Sequence, residues 1–287
     1  MIKERAYAKL NLSLDVLNKR EDGYHNMKMV MQSAMLCDEL TLELTDGELR
    51  IETNIPYIPR DDRNVAFKAA SAFFAATGLK STGAVIKIKK RVPVRAGLGG
   101  GSSDAAAVLR ALNKLCGTRL SGDELRQIGF SVGSDVPFCV EGGTMLAQGR
   151  GELLSPLPPL PETDAVICMP GFSASTPELF SRIDSRSSRC RPDTEGLVAA
   201  LGAGDVTGVS RRMYNVFESV LGKRSGAINE LKGVLLDKGA LGAAMSGTGS
   251  AVFGLFADAE SARRAAAAAE PLCREVFLTK TTGSAEI

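Results

Sequence analysis

The sequence is most informative at residues 93–106, which read Pro93-Val94-Arg95-Ala96-Gly97-Leu98-Gly99-Gly100-Gly101-Ser102-Ser103-Asp104-Ala105-Ala106. Four glycines within five positions form a backbone that can bend tightly around a ligand. The residues that follow predict a helix, and the first turn of a helix offers unpaired N–H groups at the positive end of its dipole. We therefore predict an anion-binding loop whose ligand is a phosphate. The alternative is a flexible loop with Ser103 as an ordinary N-cap.

This loop differs from two common phosphate-binding motifs. No GxxxxGK[ST] motif occurs in the sequence, and a dinucleotide-binding GxGxxG motif would need glycine where Ser102 stands. A phosphate site without a P-loop lysine needs another cation, which must come from elsewhere in the chain or from magnesium.

The segments around the loop alternate between strand and helix patterns. A helix is predicted over 64–77, and a strand over 84–88 leads toward the glycine-rich loop. The helix that follows the loop is closed by Gly117, which suits a left-handed cap position. Ser121 and Glu124 then predict a capping box at the start of the next helix.

A change in composition predicts two domains. Four of the twelve prolines lie between 155 and 163, so we predict a first domain over 1–156 and a second over 157–287. The second half contains a helix predicted to be capped by Thr176 and a polar, mobile loop over 184–194. Few tight strand–helix–strand repeats are present, which favours the α+β class over a doubly wound sheet.

Composition argues against several functions. The chain of 287 residues has 35 Lys and Arg against 33 Asp and Glu, and this near-zero balance disfavours nucleic-acid binding. A single histidine, His25, cannot form a multi-histidine metal centre. No run of 18 apolar residues occurs, so no membrane association is predicted. Six scattered cysteines without a CxxC pair, in a chain without a signal-peptide pattern, predict a cytoplasmic protein.

Two charged residues are candidates for the chemistry. Apolar residues at even positions predict a one-sided strand over 8–16, with Lys9 and Asn11 on its odd-numbered face. That face is either a polar site or an exposed strand edge. Asp135 follows a helix and precedes an apolar, strand-like run in which Pro137 favours an extended conformation for its predecessor. It is either a turn residue or a general base, and the pattern leaves both open.

A third glycine cluster occupies residues 246–254, which read Ser-Gly-Thr-Gly-Ser-Ala-Val-Phe-Gly. On its own it is either a turn that begins a strand or part of a site. Two glycine–serine loops in separate predicted domains suggest a ligand that is held between them.

Three segments, in this order, resemble the motifs of the GHMP kinases: Ala-Lys-Leu-Asn-Leu at 8–12, the glycine-rich stretch 93–106, and 246–254. Asp22-Gly23-Tyr24-His25 and Gly133-Ser134-Asp135-Val136-Pro137 most resemble the members whose substrate carries a cytidine diphosphate group. The resemblance covers nearly the whole chain. It implies a two-domain α+β fold, with an N-terminal domain like ribosomal protein S5 domain 2 and a ferredoxin-like C-terminal domain.

The resemblance implies ATP-dependent phosphorylation of the 2-hydroxyl of 4-diphosphocytidyl-2-C-methyl-D-erythritol, in the non-mevalonate isoprenoid pathway. Asp135 would take the hydroxyl proton, and Lys9 would hold Asp135 ionised and stabilise the developing charge. The cofactors would be ATP and Mg²⁺, and since no motif contains the carboxylate pair of a magnesium cage, we assign no metal ligand to the chain. The residues implied for ATP binding are Pro93, Gly97, Leu98, Gly99, Gly100, Gly101, Ser102, Ser103 and Asn64.

The resemblance also implies how the small-molecule substrate is recognised, through aromatic stacking and base-edge hydrogen bonds at its cytidine end. The alternative is that Tyr24 and Phe180 are core aromatics and His25 is a turn residue. Competing functions are another small-molecule GHMP kinase, mevalonate-like or homoserine-like, and a non-catalytic relative that binds nucleotide or RNA. A monomer or homodimer is expected. The residues implied for substrate binding are Asn11, Tyr24, His25, Phe180, Gly247 and Thr248.

Overall fold

The computed structural model describes residues 1–79, 83–186 and 190–283, and the elements below lie within those ranges. The strands are β1 Ile2–Lys19, β2 His25–Thr45, β3 Arg50–Thr53, β4 Gly83–Lys89, β5 Thr144–Gly149, β6 Leu153–Pro156, β7 Asp164–Met169, β8 Tyr214–Asn215, β9 Ala240–Met245, β10 Val252–Phe256 and β11 Glu275–Thr282. The α-helices are α1 Val65–Thr77, α2 Gly100–Cys116, α3 Gly122–Val132, α4 Val136–Glu141, α5 Thr176–Asp184, α6 Thr194–Gly202, α7 Val206–Arg211, α8 Ser225–Asp237 and α9 Ala259–Ala269. Short 3₁₀ helices span Val216–Val220, Gly222–Arg224 and Glu270–Leu272.

A continuous, mostly antiparallel sheet joins the two halves of the chain. Its central order is β3-β4-β2-β11-β7-β10-β9, and β1 pairs with β2 along most of its length. The last strand, β11, reaches the first half where Thr281 and Thr282 pair with Ala34 and Ser33 of β2. The short strand β8 runs parallel to β1. This mixture of an antiparallel sheet with separate helices confirms the predicted α+β class.

The first strand is longer than predicted and is buried on both faces, so the one-sided strand was a wrong prediction. Lys9 and Asn11 are buried together with the apolar even-numbered residues. The reason is tertiary: α2 packs against β1, and apolar residues of the second half, including Ile167 and Phe253, share a core cluster with Leu10. The alternative of an exposed strand edge is excluded by the same burial.

Several local predictions are confirmed. Helix α1 begins after Asn64, whose side chain accepts a hydrogen bond from the Ala66 N–H at 2.9 Å. The cap after α2 is Gly117 in the left-handed conformation. The capping box of α3 is formed by Ser121 and Glu124. All these features depend on residues within a few positions of each other.

Other local predictions are corrected. The run after Asp135 is the helix α4 and not a strand, because a proline in the first helical turn lacks only an N–H that would have no intrahelical acceptor. Helix α5 is preceded by Ser175 as N-cap, one residue before the predicted Thr176. Helix α2 begins at Gly100, so Ser103 lies in its first turn and is not the N-cap.

The loop between α5 and α6 is shorter than the predicted polar loop over 184–194. Asp184 is the last residue of α5, and α6 begins at Thr194. Residues 187–189, the centre of this predicted mobile loop, lie outside the described residues. In the part of the chain that the structure describes, no helix has the length and hydropathy required to cross a lipid bilayer.

Candidate active site

The glycine-rich segment forms an open cradle at the N-terminus of α2. Gly97 and Gly99 have φ values of 81° and 69°, a left-handed conformation that glycine adopts without strain. Gly99 is the N-cap of α2 and supplies no side-chain hydrogen bond. The first intrahelical hydrogen bond runs from the Ser103 N–H to the Gly99 carbonyl oxygen at 2.8 Å, so the N–H groups of Gly100, Gly101 and Ser102 precede it and remain able to bind an anion.

Two clefts meet at this cradle. The first, which we call the Asp135 cleft, has a volume of about 770 Å³ and extends from the glycine segment to Tyr24 and His25. The second, the Asn64 cleft, has a volume of about 660 Å³ and lies on the other side. Both volumes are of the size that holds a small ligand. The two clefts share three lining residues, which are Gly97, Gly99 and Ser102.

Lys9 and Asp135 form an ion pair at the mouth of the cradle. The distance between Lys9 Nζ and Asp135 Oδ2 is 3.5 Å, and the lysine side chain is 5% exposed against 33% for the aspartate. Lys9 Nζ also donates a hydrogen bond to Asn11 Oδ1 at 2.6 Å. A Cβ at Gly99 would lie 2.8 Å from Lys9 Cγ, so the glycine leaves the room that the lysine occupies. The buried cation is thereby directed at a carboxylate that solvent and ligand can reach.

The two glycine loops contact each other directly. Ser246 Oγ donates to the Gly97 carbonyl oxygen at 2.9 Å, and the Gly247 N–H donates to Asn11 Oδ1 at 2.9 Å. A Cβ at Gly97 would lie 2.0 Å from the Ser246 carbonyl oxygen. These contacts leave Gly247 and Thr248 on the wall of the Asp135 cleft. Asn11 is fully buried behind Lys9 and lines neither cleft.

Aromatic and imidazole rings line the far end of the Asp135 cleft. His25 stacks on Phe180 with ring centroids 4.8 Å apart, and its Nε2 lies 2.6 Å from Asp184 Oδ1. Tyr24 is half exposed, with the guanidinium carbon of Arg150 3.7 Å from its ring centroid. This end of the cleft offers flat apolar faces and hydrogen-bonding groups, which is the combination that binds a planar heterocycle.

Of the residues predicted to bind ATP in the glycine-rich loop, some line a cleft and others are buried. Pro93 lines the Asn64 cleft, whereas Leu98 is buried and its carbonyl oxygen accepts the Lys9 N–H at 2.9 Å. Ser103 is buried and its hydroxyl donates to the Gly100 carbonyl oxygen, so Ser102 is the serine that faces the clefts. Within the described ranges, no group of three or more His, Cys, Asp or Glu residues could hold a metal ion.

Sequence reasoning missed a buried triad beneath the cradle. Lys90 Nζ donates to a carboxylate oxygen of Asp38 and to Asp104 Oδ2, and Lys90 and Asp104 line the Asn64 cleft. Burial lowers the pKa of Lys90, but the two carboxylates outweigh it and hold that pKa above its ordinary value. Burial raises the pKa of Asp104 well above its ordinary range, against the opposing effect of Lys90. No local pattern connects these residues, since Asp38 and Lys90 are 52 positions apart.

Comparison with known proteins identifies the family. The family models described as "GHMP kinases N terminal domain" and "GHMP kinases C terminal" match residues 64–143 and 197–272. A protein of Acetivibrio thermocellus named 4-diphosphocytidyl-2-C-methyl-D-erythritol kinase is 42% identical over 280 residues, which are 96% of this chain and 98% of the relative. The chain belongs to the GHMP kinase family. The family resemblance predicted from the sequence, and the ATP-dependent small-molecule kinase that it implied, are confirmed.

Two solved structures resemble this GHMP kinase. A crystal structure of 4-(cytidine 5'-diphospho)-2C-methyl-D-erythritol kinase superposes with a TM-score of 0.82 at 34% identity and covers 98% of this chain and 100% of its own. A homoserine kinase from Cytophaga hutchinsonii has a TM-score of 0.75 at 22% identity, covering 99% and 96%, and so shares the fold. Together with the family matches, they confirm the predicted two-domain GHMP kinase fold.

Proposed function

We propose that this GHMP kinase transfers a phosphoryl group from ATP to the 2-hydroxyl of 4-diphosphocytidyl-2-C-methyl-D-erythritol, in the non-mevalonate isoprenoid pathway. The observation that carries the proposal is the Asp135 cleft, which has the Lys9–Asp135 pair at one end and the rings of Tyr24, His25 and Phe180 at the other. Relatives about 40% identical over nearly the full chain carry the name of this kinase.

The length of the cleft suits a nucleoside diphosphate linked to a small polyol. Helix α5 runs along the cleft from Thr176, whose hydroxyl lies 2.9 Å from that of Thr248, to Asp184 beside His25. Its nine residues span about 12 Å at roughly 1.5 Å per residue. A base at the ring end would therefore leave its diphosphate to extend toward Lys9 and Asp135.

Asp135 and Lys9 would act on the acceptor hydroxyl. The Asp135 carboxylate accepts the hydroxyl proton as the new oxygen–phosphorus bond forms and the bond between the γ-phosphorus of ATP and the departing ADP oxygen breaks. Lys9, whose Nζ lies 3.5 Å from Asp135 Oδ2, stabilises the negative charge that develops nearby. Phosphoryl transfer depends on positioning and charge stabilisation more than on covalent help, and it has no need of a histidine. The hydrogen bond from Lys9 Nζ to Asn11 Oδ1 holds the side chain for this task, and the bond from the Lys9 N–H to the Leu98 carbonyl oxygen holds its backbone.

The cradle and the Asn64 cleft would bind ATP. The first-turn N–H groups of α2 and the glycines before it suit the phosphates, and the Ser102 hydroxyl lies where both clefts meet. Asn64, Pro93 and the neighbouring lining residues would surround the adenosine part. Mg²⁺, held largely by ATP, would neutralise phosphate charge. Asn64 would act chiefly through α1, because its side chain bonds Ala66 N–H and the Pro59 carbonyl oxygen.

At the ring end of the Asp135 cleft, Tyr24 and Phe180 would stack on the cytosine ring and His25 would bind its edge. Gly247 and Thr248 would line the path of the polyol. Asn11 would act on the substrate only indirectly and at the Lys9–Asp135 end of the cleft, because it is buried behind Lys9 and accepts a hydrogen bond from Lys9 Nζ. The domain boundary at 156, a cytoplasmic location and a monomeric or homodimeric state remain predictions from the sequence.

The test is ATP turnover by the purified protein with the cytidylylated substrate, compared with mevalonate and homoserine. We expect turnover with the first and at most trace turnover with the others, because neither has a base to occupy the ring end of the cleft. Equal or greater activity on mevalonate would assign the chain to a different member of the family. No turnover with any acceptor, but retained nucleotide binding, would support a non-catalytic relative.

A further inference from the structure

One helix both stacks on His25 and hydrogen-bonds to it. Phe180 and Asp184 are four residues apart on α5, so they project from the same face of the helix. Phe180 stacks on the imidazole ring, and Asp184 Oδ1 lies 2.6 Å from Nε2 in the direction of the ring edge. Phe180 is itself packed edge-on against Phe217, with centroids 5.0 Å apart. The plane of the His25 ring and its rotation within that plane are therefore both defined.

The contact with Asp184 also determines which ring nitrogen carries the proton. The hydrogen bond from His25, together with that from Lys19, lowers the pKa of Asp184 against the opposing effect of its burial, so the carboxylate is ionised near neutral pH. An ionised carboxylate only accepts hydrogen bonds. Nε2 must therefore carry a proton and donate it. In the neutral ring, Nδ1 is then an acceptor with a free lone pair.

The free nitrogen is available to a ligand. Among the described residues, no side chain or backbone group hydrogen-bonds to His25 Nδ1, and this atom is not one of the buried polar atoms that lack a partner. His25 itself lines the Asp135 cleft. An acceptor directed into a pocket for a planar base matches the amino group of cytosine and is mismatched with the carbonyl oxygen that uracil has at the same position.

We infer that Asp184 is a positioning residue that holds His25 with Nδ1 as a hydrogen-bond acceptor, and that it thereby makes the kinase select cytidine over uridine substrates. This inference rests on the proposed function, since it assigns the ring end of the Asp135 cleft to the base. Asp184 does not touch the reacting atoms. Its effect is expected on the binding of the base and not on the phosphoryl transfer step.

A purely structural role would have a different consequence. Asp184 Oδ2 also lies 3.3 Å from Lys19 Nζ, an exposed lysine, and this contact could simply tie the end of β1 to α5. Loss of such a surface ion pair would change the stability of the protein only slightly, and it would change the kinetics with all substrates alike. Selectivity between two bases therefore separates the two roles.

The kinetic test uses Asp184→Ala and Asp184→Asn, with cytidylylated and uridylylated methylerythritol as acceptors. For Asp184→Ala we expect the KM for the cytidine substrate to rise about tenfold and the cytidine-to-uridine preference in kcat/KM to fall by at least about tenfold. The KM for ATP and the kcat at saturation should stay within about twofold. Asp184→Asn keeps an oxygen that accepts the Nε2–H, so it should restore most of the preference.

A matched control is Glu178→Ala on the same helix. Glu178 is an exposed carboxylate that pairs with Arg182 at 2.6 Å and does not line the Asp135 cleft. We expect this variant to keep the wild-type preference. The same loss of preference in Glu178→Ala would overturn the inference, because it would show that any weakening of α5 is sufficient.

A spectroscopic test is independent of turnover, because His25 is the only histidine in the sequence. An imidazole ¹H–¹⁵N spectrum recorded from pH 6 to 9 should show Nε2 protonated in the neutral ring, with an N–H signal protected from exchange. The protection should be lost in Asp184→Ala and retained in Asp184→Asn. A neutral ring protonated on Nδ1 in the wild-type protein would overturn the inference, as would an unchanged signal in Asp184→Ala.

Failure of this inference differs from failure of the proposed function. If the proposed function is wrong, the wild-type protein itself does not turn over the cytidine substrate. If only the role of Asp184 is wrong, the wild-type protein is active and Asp184→Ala prefers cytidine over uridine as strongly as before.

Discussion

At the scale of single residues, the Lys9–Asp135 pair illustrates how burial gives common side chains a defined chemistry. Lys9 is almost fully buried on β1, and one of its few polar neighbours is a carboxylate at the start of α4. A buried ammonium group is stable only when it is paired and hydrogen-bonded, and Asp135 with Asn11 meets that need. The pair thus keeps a positive charge beside the carboxylate that would receive the acceptor proton.

Asp135→Asn tests this role directly. Asparagine has nearly the same shape but cannot take a proton, so we expect kcat to fall by at least about 100-fold while the affinity for ATP stays near normal. Steady-state kinetics and nucleotide titration would measure both. Asp123→Asn, at an exposed carboxylate paired with Arg126 on α3, is the matched control and should keep full activity. A wild-type kcat in Asp135→Asn would make Asp135 a structural turn residue.

At the scale of elements, the active site depends on two loops that approach each other more closely than any side chain would allow. Gly97 packs its α-carbon against the Ser246 carbonyl, and the Ala251 N–H donates to the Ala96 carbonyl oxygen at 3.0 Å. The glycine-rich loop before α2 is thereby joined to the turn between β9 and β10. A buried ionic triad of Asp38, Lys90 and Asp104 joins β2, the segment after β4 and α2 below them.

Gly97→Ala would force these loops apart. A methyl group 2.0 Å from the Ser246 carbonyl oxygen, at a φ of 81°, cannot be accommodated without a backbone shift. We expect a loss of about 1–3 kcal/mol in the free energy of unfolding, and a fall in activity because both loops line the Asp135 cleft. Urea unfolding and turnover would measure the change. Gly233→Ala on α8, where a Cβ meets nothing within 4 Å, should be neutral or stabilising.

Lys90→Met should destabilise the protein in a pH-dependent way. Removing the buried cation leaves Asp38 and Asp104 buried without their countercharge, for an expected loss of about 3–5 kcal/mol at pH 8. The pKa of Asp104 is higher in the folded state than in the unfolded state. The stability that its protonated form contributes is therefore fully present at pH values below the unfolded-state pKa. It is lost as the pH rises through the folded-state pKa. The loss of stability in Lys90→Met should therefore be smaller at pH 5.5, where protonation of Asp104 removes buried negative charge.

Urea unfolding of Lys90→Met at both pH values is the measurement. The neighbouring Lys89 is exposed and pairs with Glu39 at 3.3 Å on the surface, so Lys89→Met is the matched control and should change stability by less than about 0.5 kcal/mol. A deficit in Lys90→Met that is equal at pH 5.5 and pH 8 would contradict the assignment of the loss to buried carboxylate charge.

At the scale of the whole molecule, the two halves share one sheet and two hydrophobic core clusters. Leu10 and Leu12 of β1 pack with Ile167 of β7 and Phe253 of β10, while β8 pairs with β1 and β11 with β2. The Asp135 cleft lies between the same halves, with Lys9 and Asp135 from the first and Phe180 from the second. We therefore expect the core to fold and the site to assemble together.

Residues 1–156 alone should not form a stable domain, even though 156 is the boundary predicted from the sequence. Without the second half, Leu10, Leu12 and the pairing edges of β1 and β2 would be exposed to water. We expect the fragment to aggregate or to lack cooperative unfolding by circular dichroism, while the full chain unfolds in one transition. Co-expression with 157–287 is the control and should restore solubility. A monomeric fragment with a sharp unfolding transition would refute this prediction.

Much of the molecule was predicted from the sequence because the relevant interactions are local. The cap at Asn64, the left-handed Gly117 and the capping box of Ser121 and Glu124 each involve residues within a few positions. The same is true of the glycine-rich loop, whose backbone freedom and following helix predicted an anion site. The motifs were also sufficient to indicate the family. Proline in the first turn of α4 misled the prediction, because the same residue also ends strands and begins loops.

The sequence by itself determined the family, the glycine-rich cradle and the identity of the charged residues, whereas only the tertiary structure decided which partners those residues have. His25 and Asp184 are 159 positions apart, and Asp38 reaches Lys90 across 52. Such pairs arise from strand pairing and helix packing, in which every contact depends on many others, so no local pattern encodes them. Burial follows the same rule: β1 reads as a one-sided strand, and it is buried on both faces because the second half of the chain covers it.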